Sequence, residues 1–424
     1  MINALRGFRD ILPPDSEMFA EIEGKAREIF GLYGYRELRI PTLEKKELFI
    51  KSTGTTTDIV QKEMYAFTDA GGREIACRPE GTPGIARAFI EHNLSQSGRN
   101  AKYFYIANMF RAERPQAGRY REFEQIGAEN IGNASPAADA ETIAMLVNLL
   151  EKIGIKELTV DINSLGCAEC RKTYRNELLQ FLRQHQDTLC EACKGRIELN
   201  PLRALDCKID GDRLAETAPV MRLCPECEKH FNQTQKLLRI AGISFRVNRN
   251  LVRGLDYYTR TVFEVRSNAI GSQDAIAAGG RYDGLIKSMG GPDVPAIGWA
   301  MGVDRVALLV NAAREAAGIA KDGNAVRTFV LASVKSAPEE AAAKGFLLLN
   351  MLRKAGISAD FSNFEASFKS QMRSADKSGA DFALIIGEDE LKNGTVSVKD
   401  LRNKSEQKQI RFEEVAEKLA ISNE

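Results

Sequence analysis

The 424-residue sequence has little histidine, one tryptophan and almost no net charge. Its three histidines, His92, His185 and His230, are too few and too scattered for a histidine-based metal centre or catalytic triad, and we assign them structural roles. A formal net charge of +1 argues against a uniformly basic nucleic-acid binder. RNA contact through local patches and shape stays compatible with that charge.

Long hydrophobic runs are lacking as well. None approaches the roughly 20 apolar residues that span a bilayer, and the N-terminal stretch MINALRGFRDILPP has no apolar signal core. We therefore expect a cytoplasmic protein without membrane contact. Neither GxxxxGK[ST] nor GxGxxG occurs, so a P-loop or Rossmann nucleotide site is unsupported.

The length of 424 residues predicts two or three domains, each large enough for its own core. Helical periodicity predicts a helix over Glu17–Leu32, capped by Asp15 or Ser16, and another over Ala137–Ile153 that begins at Ser135-Pro136. An Ala-, Lys- and Gly-rich stretch at about 311–324 predicts a linker.

A charged hairpin is predicted between Phe104 and Gly132. Two apolar runs, broken at Pro115 and Gly118, indicate antiparallel strands joined by a mobile loop. Charged and amide side chains crowd the strand ends, the loop and the return strand: Arg111, Arg114, Arg119, Arg121, Glu122, Glu124, Gln125 and Glu129. Such density indicates either ion pairs across the hairpin or a site for polyphosphate and an amine. Both interpretations stay open at this point.

Four further segments stand out in the sequence, three of which carry polar groups on predicted turns. Glu80 follows a predicted strand at Ile75–Arg78 and suits an ammonium group, while Thr82 presents a hydroxyl, although a purely structural turn also explains them. Downstream lie LVRGLDYYTRTVFE, a glycine-rich predicted turn AGGRYDG, and a strand of small residues, GWAMG, that leads into a helix beginning VDR.

Seven of the eight cysteines fall between Gly166 and about Gly242. Paired CxxC units in a chain without a secretory signal favour zinc over disulfides. We predict a structural zinc site from Cys190, Cys193, Cys224 and Cys227, because Pro225 and the chain breaks near Cys190 are typical of knuckle turns. Cys167-x-x-Cys170 opens a predicted helix and is compatible with merely structural thiols.

Several of these segments carry a family resemblance. Arg111-Ala-Glu113, a loop and then Arg121-Glu-Phe123-x-Gln125 resemble the second motif of class II aminoacyl-tRNA synthetases. Together with LVRGLDYYTRTVFE and GVDR, which resembles the third motif, the chain resembles the histidyl-tRNA synthetase family over almost its whole length. Pro41-Thr-Leu-Glu44 resembles the first motif, which implies a homodimer.

The resemblance implies the fold, domains and partners. We expect an α/β (α+β) chain with a class II antiparallel-sheet catalytic domain over 1–325 and an anticodon-binding α/β domain over 326–424. A cysteine-rich helical insertion at about 167–242 is expected in the catalytic domain. The implied activity is ATP-dependent ligation of L-histidine to tRNA(His) through an adenylate, with Mg²⁺ accompanying ATP.

The resemblance also implies roles for individual residues. For histidine they are Glu80, Thr82 and Gln125 at the amine, and Glu129 and Tyr258 at the imidazole, with Tyr257 also in the histidine site. For ATP they are Arg111 at the α-phosphate, Arg305 at the γ-phosphate, Phe123 at adenine, Glu113 and Arg121. Arg253, with Arg111, is expected to be catalytic, and Arg114 and Gln116 to contact the tRNA acceptor end. Asp304 stands where many relatives have Glu, from which we expect no consequence.

Two alternatives remain. One is a regulatory, histidine-sensing subunit of ATP phosphoribosyltransferase, which shares the fold but usually lacks the last domain and some substrate-binding residues. The other is a non-catalytic dimer scaffold. The retained arginines and the intact C-terminal segment favour the synthetase.

Overall fold

The computed structural model of the chain describes residues 2–55, 57–97, 101–198, 200–205, 207, 209–252, 254–267, 275–318, 327–403 and 407–421. It divides into two compact units, Met1–Lys321 and Asp322–Glu424. In the described residues, no helix combines the length and apolar composition needed to cross a membrane.

The first unit is built on two sheets and ten described helices. Its strands are β1 (Arg36–Glu37), β2 (Leu43–Lys45), β3 (Ala66–Thr68), β4 (Glu74–Cys77), β5 (Ala101–Phe110), β6 (Glu122–Ile131), β7 (Thr159–Ser164), β8 (Arg246–Val247), β9 (Thr259–Arg266), β10 (Ala275–Arg281) and β11 (Ala296–Gly302). Its helices are α1 (Asp15–Leu32), α2 (Lys46–Thr53), α3 (Thr82–Glu91), α4 (Pro136–Ile153), α5 (Ala168–Gln184), α6 (Glu191–Arg196), α7 (Gly211–Thr217), α8 (Pro225–Ile240), α9 (Leu285–Ser288) and α10 (Val303–Ala316).

The large sheet has the strand order β1-β5-β6-β11-β10-β9-β7-β8, and its central pairs are antiparallel. Helices α1, α4 and α10 cover one face, which we call the helix face, with apolar side chains such as Ile22, Ile143 and Val306. The predicted hairpin is confirmed as β5 and β6, paired from Ala101↔Ile131 to Phe110↔Glu122.

Two local predictions need correction. Helix α1 begins at Asp15 behind Pro14 with no side-chain cap, so Asp15 and Ser16 lie inside its first turn. Gly279 and Gly280 lie within strand β10 rather than in a turn. The capping of α4 by Ser135 is confirmed, since its hydroxyl accepts the N–H of Ala138.

The second unit has a five-stranded sheet in the order β13-β12-β14-β15-β16. Its elements are β12 (Thr328–Ala332), α11 (Pro338–Lys354), β13 (Ala359–Asp360), α12 (Phe368–Ser378), β14 (Phe382–Ile386), α13 (Glu388–Asn393), β15 (Thr395–Asp400), β16 (Lys408–Arg411) and α14 (Val415–Ile421). Its apolar core includes Val330, Leu348, Leu384 and Val396, which confirms the predicted alternation of strands and helices.

Candidate active site

Strand alternation places the polar residues of β6 on one face. Ile126 and Ala128 point into the core under the helix face. Because successive side chains of a strand point to opposite sides, Gln125, Gly127 and Glu129 face the other way. That second face, which we call the cavity face, carries a cavity of about 150 Å³.

Seven of the predicted site residues line this cavity: Glu80, Thr82, Arg111, Gln125, Glu129, Tyr257 and Tyr258. Side chains or backbone from Tyr105, Leu255, Ala278, Tyr282, Gly298, Trp299 and Ala300 complete it. Residues that are up to 220 positions apart in the chain therefore meet in one small polar chamber.

Glu129 is buried at the centre of the cavity face, with 1% of its surface exposed. Its Oε1 accepts a hydrogen bond from the Thr82 hydroxyl at 2.5 Å, and its Oε2 accepts one from the Tyr282 hydroxyl at 2.6 Å. Gly298 lies opposite on β11, where an added Cβ would come 1.7 Å from Glu129 Oε2. Only glycine therefore leaves room for this carboxylate.

Glu80 is the second buried carboxylate of the cavity. Its Oε1 accepts from the Thr53 hydroxyl at 2.6 Å, and its Oε2 accepts from the Tyr257 hydroxyl at 2.9 Å. Burial raises the pKa of Glu80 above its ordinary value and raises the pKa of Glu129 to about 8. Two desolvated acids in one chamber favour a ligand that brings positive charge or several donors.

Three further polar atoms of the cavity residues, on Gln125, Tyr105 and Trp299, have no hydrogen-bond partner in the described part of the chain. Gln125 Oε1, the Tyr105 hydroxyl and Trp299 Nε1 are all buried. The Tyr105 ring fits between Gly81 and Gly127, where a Cβ would come 2.2 and 2.3 Å from its Cζ. Since buried polar atoms are normally paired, the Gln125 and Tyr105 atoms indicate a polar ligand that is not part of the chain.

Arg111 lines the cavity and directly follows β5, where the hairpin loop begins. Its Nε donates to the Pro79 carbonyl at 2.9 Å, and its guanidinium lies 5.3 Å from the centroid of the Phe123 ring. The arginine is thus fixed in direction and its charge faces the chamber. An aromatic face beside a fixed guanidinium suits a flat ring that carries phosphate.

The hairpin loop closes with a short turn. Gln116 and Arg119 exchange backbone hydrogen bonds of 3.0 and 2.9 Å, with Gly118 in the left-handed region. Arg114 and Gln116 are exposed, which is where residues that contact a large partner belong. Glu113 accepts from Arg119 at 3.4 Å.

Arg121 and Asp304 both hold the N-terminal segment. Arg121 donates to the backbone carbonyls of Glu113 at 3.2 Å and Arg6 at 3.3 Å. Arg9 donates to Asp304 Oδ1 at 2.8 Å, while Asp304 Oδ2 accepts the Glu124 N–H at 3.2 Å. Sequence reasoning missed Arg9, because an isolated arginine in a proline-rich terminus gives no signal of a partner 295 positions away.

Neither Arg305 nor Arg253 is among the described residues that line the cavity. Arg305 lies in the first turn of α10, donates to the Ala275 carbonyl and packs next to Gly118 of the hairpin loop. It is absent from the cavity lining among the described residues. Arg253 lies outside the described residues. Of the three arginines expected at the ATP site, the described residues show Arg111 at the cavity and Arg305 beside the hairpin loop.

A buried ionic network holds the end of β10, directly before Tyr282. The fully buried Arg281 donates to Asp139 Oδ1 at 2.7 Å and to Asp283 Oδ1 at 2.8 Å. His230 bonds Asp139 Oδ2 at 2.8 Å. The structural role assigned to His230 agrees with this contact. Sequence reasoning missed Tyr105, because an isolated tyrosine resembles an ordinary core residue.

The predicted zinc ligand set is wrong. Cys224 and Cys227 cluster with Cys167 and Cys170, whereas Cys190 and Cys193 cluster with Cys207 and Asp210. The physical reason is that helices α5 and α8 begin side by side, with the Cys224 N–H donating to Cys170 Sγ at 3.2 Å. Cys190 and Cys193 belong instead to a local fold between residues 186 and 217.

The chain matches the family model described as histidyl-tRNA synthetase over residues 7–306 and the model described as anticodon binding domain over residues 329–421. It is 54% identical over 419 residues to a histidine–tRNA ligase of Elusimicrobium minutum, covering 99% of each chain. It is 48% identical over 402 residues to that of Geobacter metallireducens, covering 94% of this chain and 95% of the relative.

Two solved structures are similar. The apo histidyl-tRNA synthetase of S. aureus has a TM-score of 0.82 and 34% identity, covering 99% of this chain and 100% of that one. A chain from Bacillus halodurans C, titled ATP phosphoribosyltransferase regulatory subunit/histidyl-tRNA synthetase, has a TM-score of 0.65 and 21% identity, covering 90% and 97%. The second likeness concerns the fold alone.

Proposed function

Since the chain belongs to the histidyl-tRNA synthetase family, we infer that it ligates L-histidine to tRNA(His) with ATP, through a histidyl-adenylate. The histidine carboxylate attacks the α-phosphorus of ATP and pyrophosphate leaves. The terminal adenosine of the tRNA then attacks the adenylate carbonyl and AMP leaves. The observation that carries the assignment to this chain's own residues is the chamber with two buried carboxylates on the cavity face.

The chamber is proposed to bind histidine. Glu80, Thr82 and Gln125 take the α-amino group, for which the buried Glu80 carboxylate and the unpaired Gln125 Oε1 offer acceptors. Glu129 and Tyr258, with Tyr257 packed 4.8 Å from Tyr258, surround the imidazole. A chamber that pairs both ring nitrogens rejects amino acids that lack them, because its buried polar groups would stay unpaired.

ATP is proposed to lie along the cavity face between the chamber and the hairpin loop. Arg111 binds the α-phosphate, Phe123 stacks on adenine, and Arg305 beside the loop binds the γ-phosphate. Glu113 and Arg121 support this site from the strand ends. Fixed guanidinium groups accelerate phosphoryl displacement mainly by positioning and by neutralising oxygen charge.

Magnesium is proposed to accompany ATP. Mg²⁺ is usually bound through one or two carboxylates plus phosphate oxygens, and Glu113 fits, since the closest described partner of its carboxylate is Arg119 at 3.4 Å. When bound, the ion offsets the charge of the leaving pyrophosphate.

The tRNA is proposed to contact both units. The exposed loop residues Arg114 and Gln116 contact the end of the acceptor stem, and residues 326–424 bind the anticodon. We place the catalytic domain at 1–325, with the insertion at about 167–242. The match of the anticodon-binding model to residues 329–421 supports this division.

A cytoplasmic homodimer is also proposed. Leu43 and Phe67 on the three-stranded sheet β2-β4-β3 are 47% and 49% exposed. Next to that sheet, Leu48, Ile90 and Met289 line a groove of about 570 Å³. Exposed apolar side chains on the segment that resembles the first class II motif, beside a groove whose lining also includes charged residues such as Glu47 and Lys51, support a subunit interface, which light scattering at graded concentrations tests.

The decisive experiment is charging of tRNA(His) with radiolabelled histidine by the purified chain. Histidylated tRNA with release of AMP is expected. Histidine binding without any charging or pyrophosphate exchange would instead indicate a histidine-sensing regulatory subunit, and the absence of both would indicate a scaffold.

Arg253 is proposed as the catalytic arginine, on the family resemblance. Arg253→Ala is expected to lower histidine-dependent ATP–pyrophosphate exchange by about a hundredfold or more. The exposed Arg249→Ala is the matched control and keeps the wild-type rate. Near wild-type exchange by the Arg253 variant, with its melting temperature unchanged, would remove Arg253 from this role.

A further inference from the structure

Seven of the eight cysteines gather into two clusters within the insertion. The Cys167 cluster consists of Cys167, Cys170, Cys224 and Cys227, and the Cys190 cluster consists of Cys190, Cys193, Cys207 and Asp210. In each cluster the four candidate ligand atoms lie within 4.8 Å of one another. Four ligand atoms at such mutual distances are close enough to coordinate one metal ion placed between them.

The sulfur separations fit a shared metal ion. Cys167 Sγ lies 3.7 Å from Cys170 Sγ, and Cys190 Sγ lies 3.7 Å from Cys207 Sγ. A tetrahedron with Zn–S bonds of about 2.3 Å has sulfur-to-sulfur edges of about 3.8 Å. A disulfide would bring the atoms to about 2.05 Å. Both measured distances thus fit two thiolates on one tetrahedral ion.

The three CxxC units share one local geometry. Cys167, Cys190 and Cys224 are the N-caps of α5, α6 and α8, each with an extended backbone and no capping bond from its side chain. The second cysteine of each pair follows in the first helical turn. Both sulfurs of a pair therefore lie at a helix N-terminus, whose dipole stabilises thiolates.

Backbone donors and buried positions add to this pattern. The Cys224 N–H donates to Cys170 Sγ at 3.2 Å, and the Ile209 N–H donates to Cys207 Sγ at 3.4 Å. Cys170, Cys193 and Cys227 are 6%, 0% and 1% exposed. Amide donors around buried sulfurs orient and stabilise metal-bound thiolates.

Asp210 replaces the fourth cysteine in the Cys190 cluster. Its Oδ2 accepts the Cys190 N–H at 2.9 Å, and its Oδ1 accepts from Arg213 at 3.1 Å. These donors fix the carboxylate toward the three sulfurs. Asp210 follows Cys207 at the same spacing of three that separates the cysteines of each CxxC unit.

We propose that each cluster binds one zinc ion, held by four thiolates at the Cys167 cluster and by three thiolates and one carboxylate at the Cys190 cluster. Soft thiolates in tetrahedral geometry select zinc among the common divalent ions. Four protein ligands leave no open position, so both ions are structural. They hold together an insertion whose small apolar core, including Leu178 and Leu214, has few residues of its own.

The test is the zinc content of the purified full-length chain, measured by plasma mass spectrometry. Two zinc ions per chain are expected. The double variant Cys170→Ser with Cys227→Ser is expected to retain one, and so is Cys193→Ser with Cys207→Ser. Cys77→Ser is the matched control, since Cys77 lies on β4 outside both clusters, and it keeps two.

Each outcome decides one part of the proposal. A chain without stoichiometric zinc, when purified from zinc-supplemented cells without chelator, overturns both sites. One zinc ion that only one double variant removes overturns the other site. If a double variant fails to fold, X-ray absorption of the wild-type chain decides: seven sulfur and one oxygen neighbours per two ions support the proposal, and shells of mainly oxygen or nitrogen overturn it.

Discussion

Glu129 is an acid held in its uncharged form by its own surroundings. Burial raises its pKa from 4.5 to about 8, and hydrogen bonds from Thr82 and Tyr282 oppose that rise only in part. The folded chain therefore favours the protonated acid at neutral pH. An imidazole N–H donor favours the ionised form, so histidine binding is expected to release a proton from Glu129.

This coupling predicts a pH dependence of histidine affinity. Between pH 7 and 8 the affinity for histidine is expected to rise up to tenfold. Above pH 8 it is expected to level off, because Glu129 is then already ionised and histidine binding no longer has to displace its proton. Calorimetry in buffers of different ionisation enthalpy measures both the affinity and the proton released. A flat profile would contradict the assignment of Glu129.

Variants separate Glu129 from other acids. Glu129→Gln is expected to weaken histidine binding by about tenfold to a hundredfold and to abolish the pH dependence. It also removes the loss of unfolding free energy that the wild type suffers as pH rises from 4.5 through 8. Glu124→Gln is the control: burial raises the Glu124 pKa to about 7, but Glu124 is not part of the histidine cavity, so the affinity profile persists.

Gly298 offers a test by sterics alone. In Gly298→Ala the new methyl group would overlap Glu129 Oε2, so the carboxylate must move and the KM for histidine in pyrophosphate exchange is expected to rise at least tenfold. Gly302→Ala, on the same strand, meets no atom within 4 Å and should leave the KM unchanged. Equal values for the two variants would disprove the steric account.

At the scale of elements, the N-terminal segment that contains Arg6 and Arg9 lies across the hairpin, and we call it the strap. The carbonyl of Arg6 in this segment accepts a hydrogen bond from Arg121. Arg9 forms an ion pair with Asp304 at the start of α10, and its guanidinium carbon lies 4.1 Å from the centroid of the Tyr120 ring. The third-motif aspartate thus links three separate stretches of chain. That link is a role for Asp304 which the motif alone does not predict.

Loss of the strap is expected to expose the hairpin. Arg9→Ala removes a charge-assisted bond to a buried carboxylate, so limited proteolysis before residue 15 should accelerate several-fold and the KM for ATP should rise. Arg6→Ala removes the same charge from an exposed side chain and serves as control. Identical digestion patterns for the two variants would argue against the strap.

The sequence predicts elements well where a single local pattern decides them. The hairpin follows from apolar runs, and α4 follows from apolar periodicity and a proline at the helix start. The linker predicted from about residue 311 begins later, since α10 continues to Ala316, because alanine-rich sequence propagates a helix without an apolar stripe. The pairing of CxxC units failed because it depends on which helices begin side by side, and no local pattern encodes that.

At the scale of the molecule, each unit has its own apolar core. Ile126 and Leu146 belong to a cluster within 1–321, whereas Leu348 and Leu384 belong to one within 322–424. No apolar cluster of the described residues draws members from both units. Independent cores of this size are typical of domains that fold alone.

Truncation after Lys321 tests whether the first unit alone carries out amino-acid activation, while tRNA charging needs both units. The fragment is expected to retain histidine-dependent pyrophosphate exchange within a few-fold, because the cavity residues all precede it. Its kcat/KM for tRNA(His) charging should fall by at least a hundredfold, since anticodon contacts are lost. Loss of exchange in a folded fragment, as judged by circular dichroism, would contradict the proposed boundary.

Helix α8 links the cysteine-rich insertion to residues beside the amino-acid chamber. Its N-cap and first turn supply Cys224 and Cys227, and one turn later His230 bonds Asp139, the same acid that fixes the buried Arg281 beside Tyr282. A displacement of α8 at its cysteine end is therefore expected to reach Tyr282, which donates to Glu129. On the proposal that the Cys167 cluster binds zinc, removal of that ion is expected to weaken discrimination for histidine before the melting temperature falls.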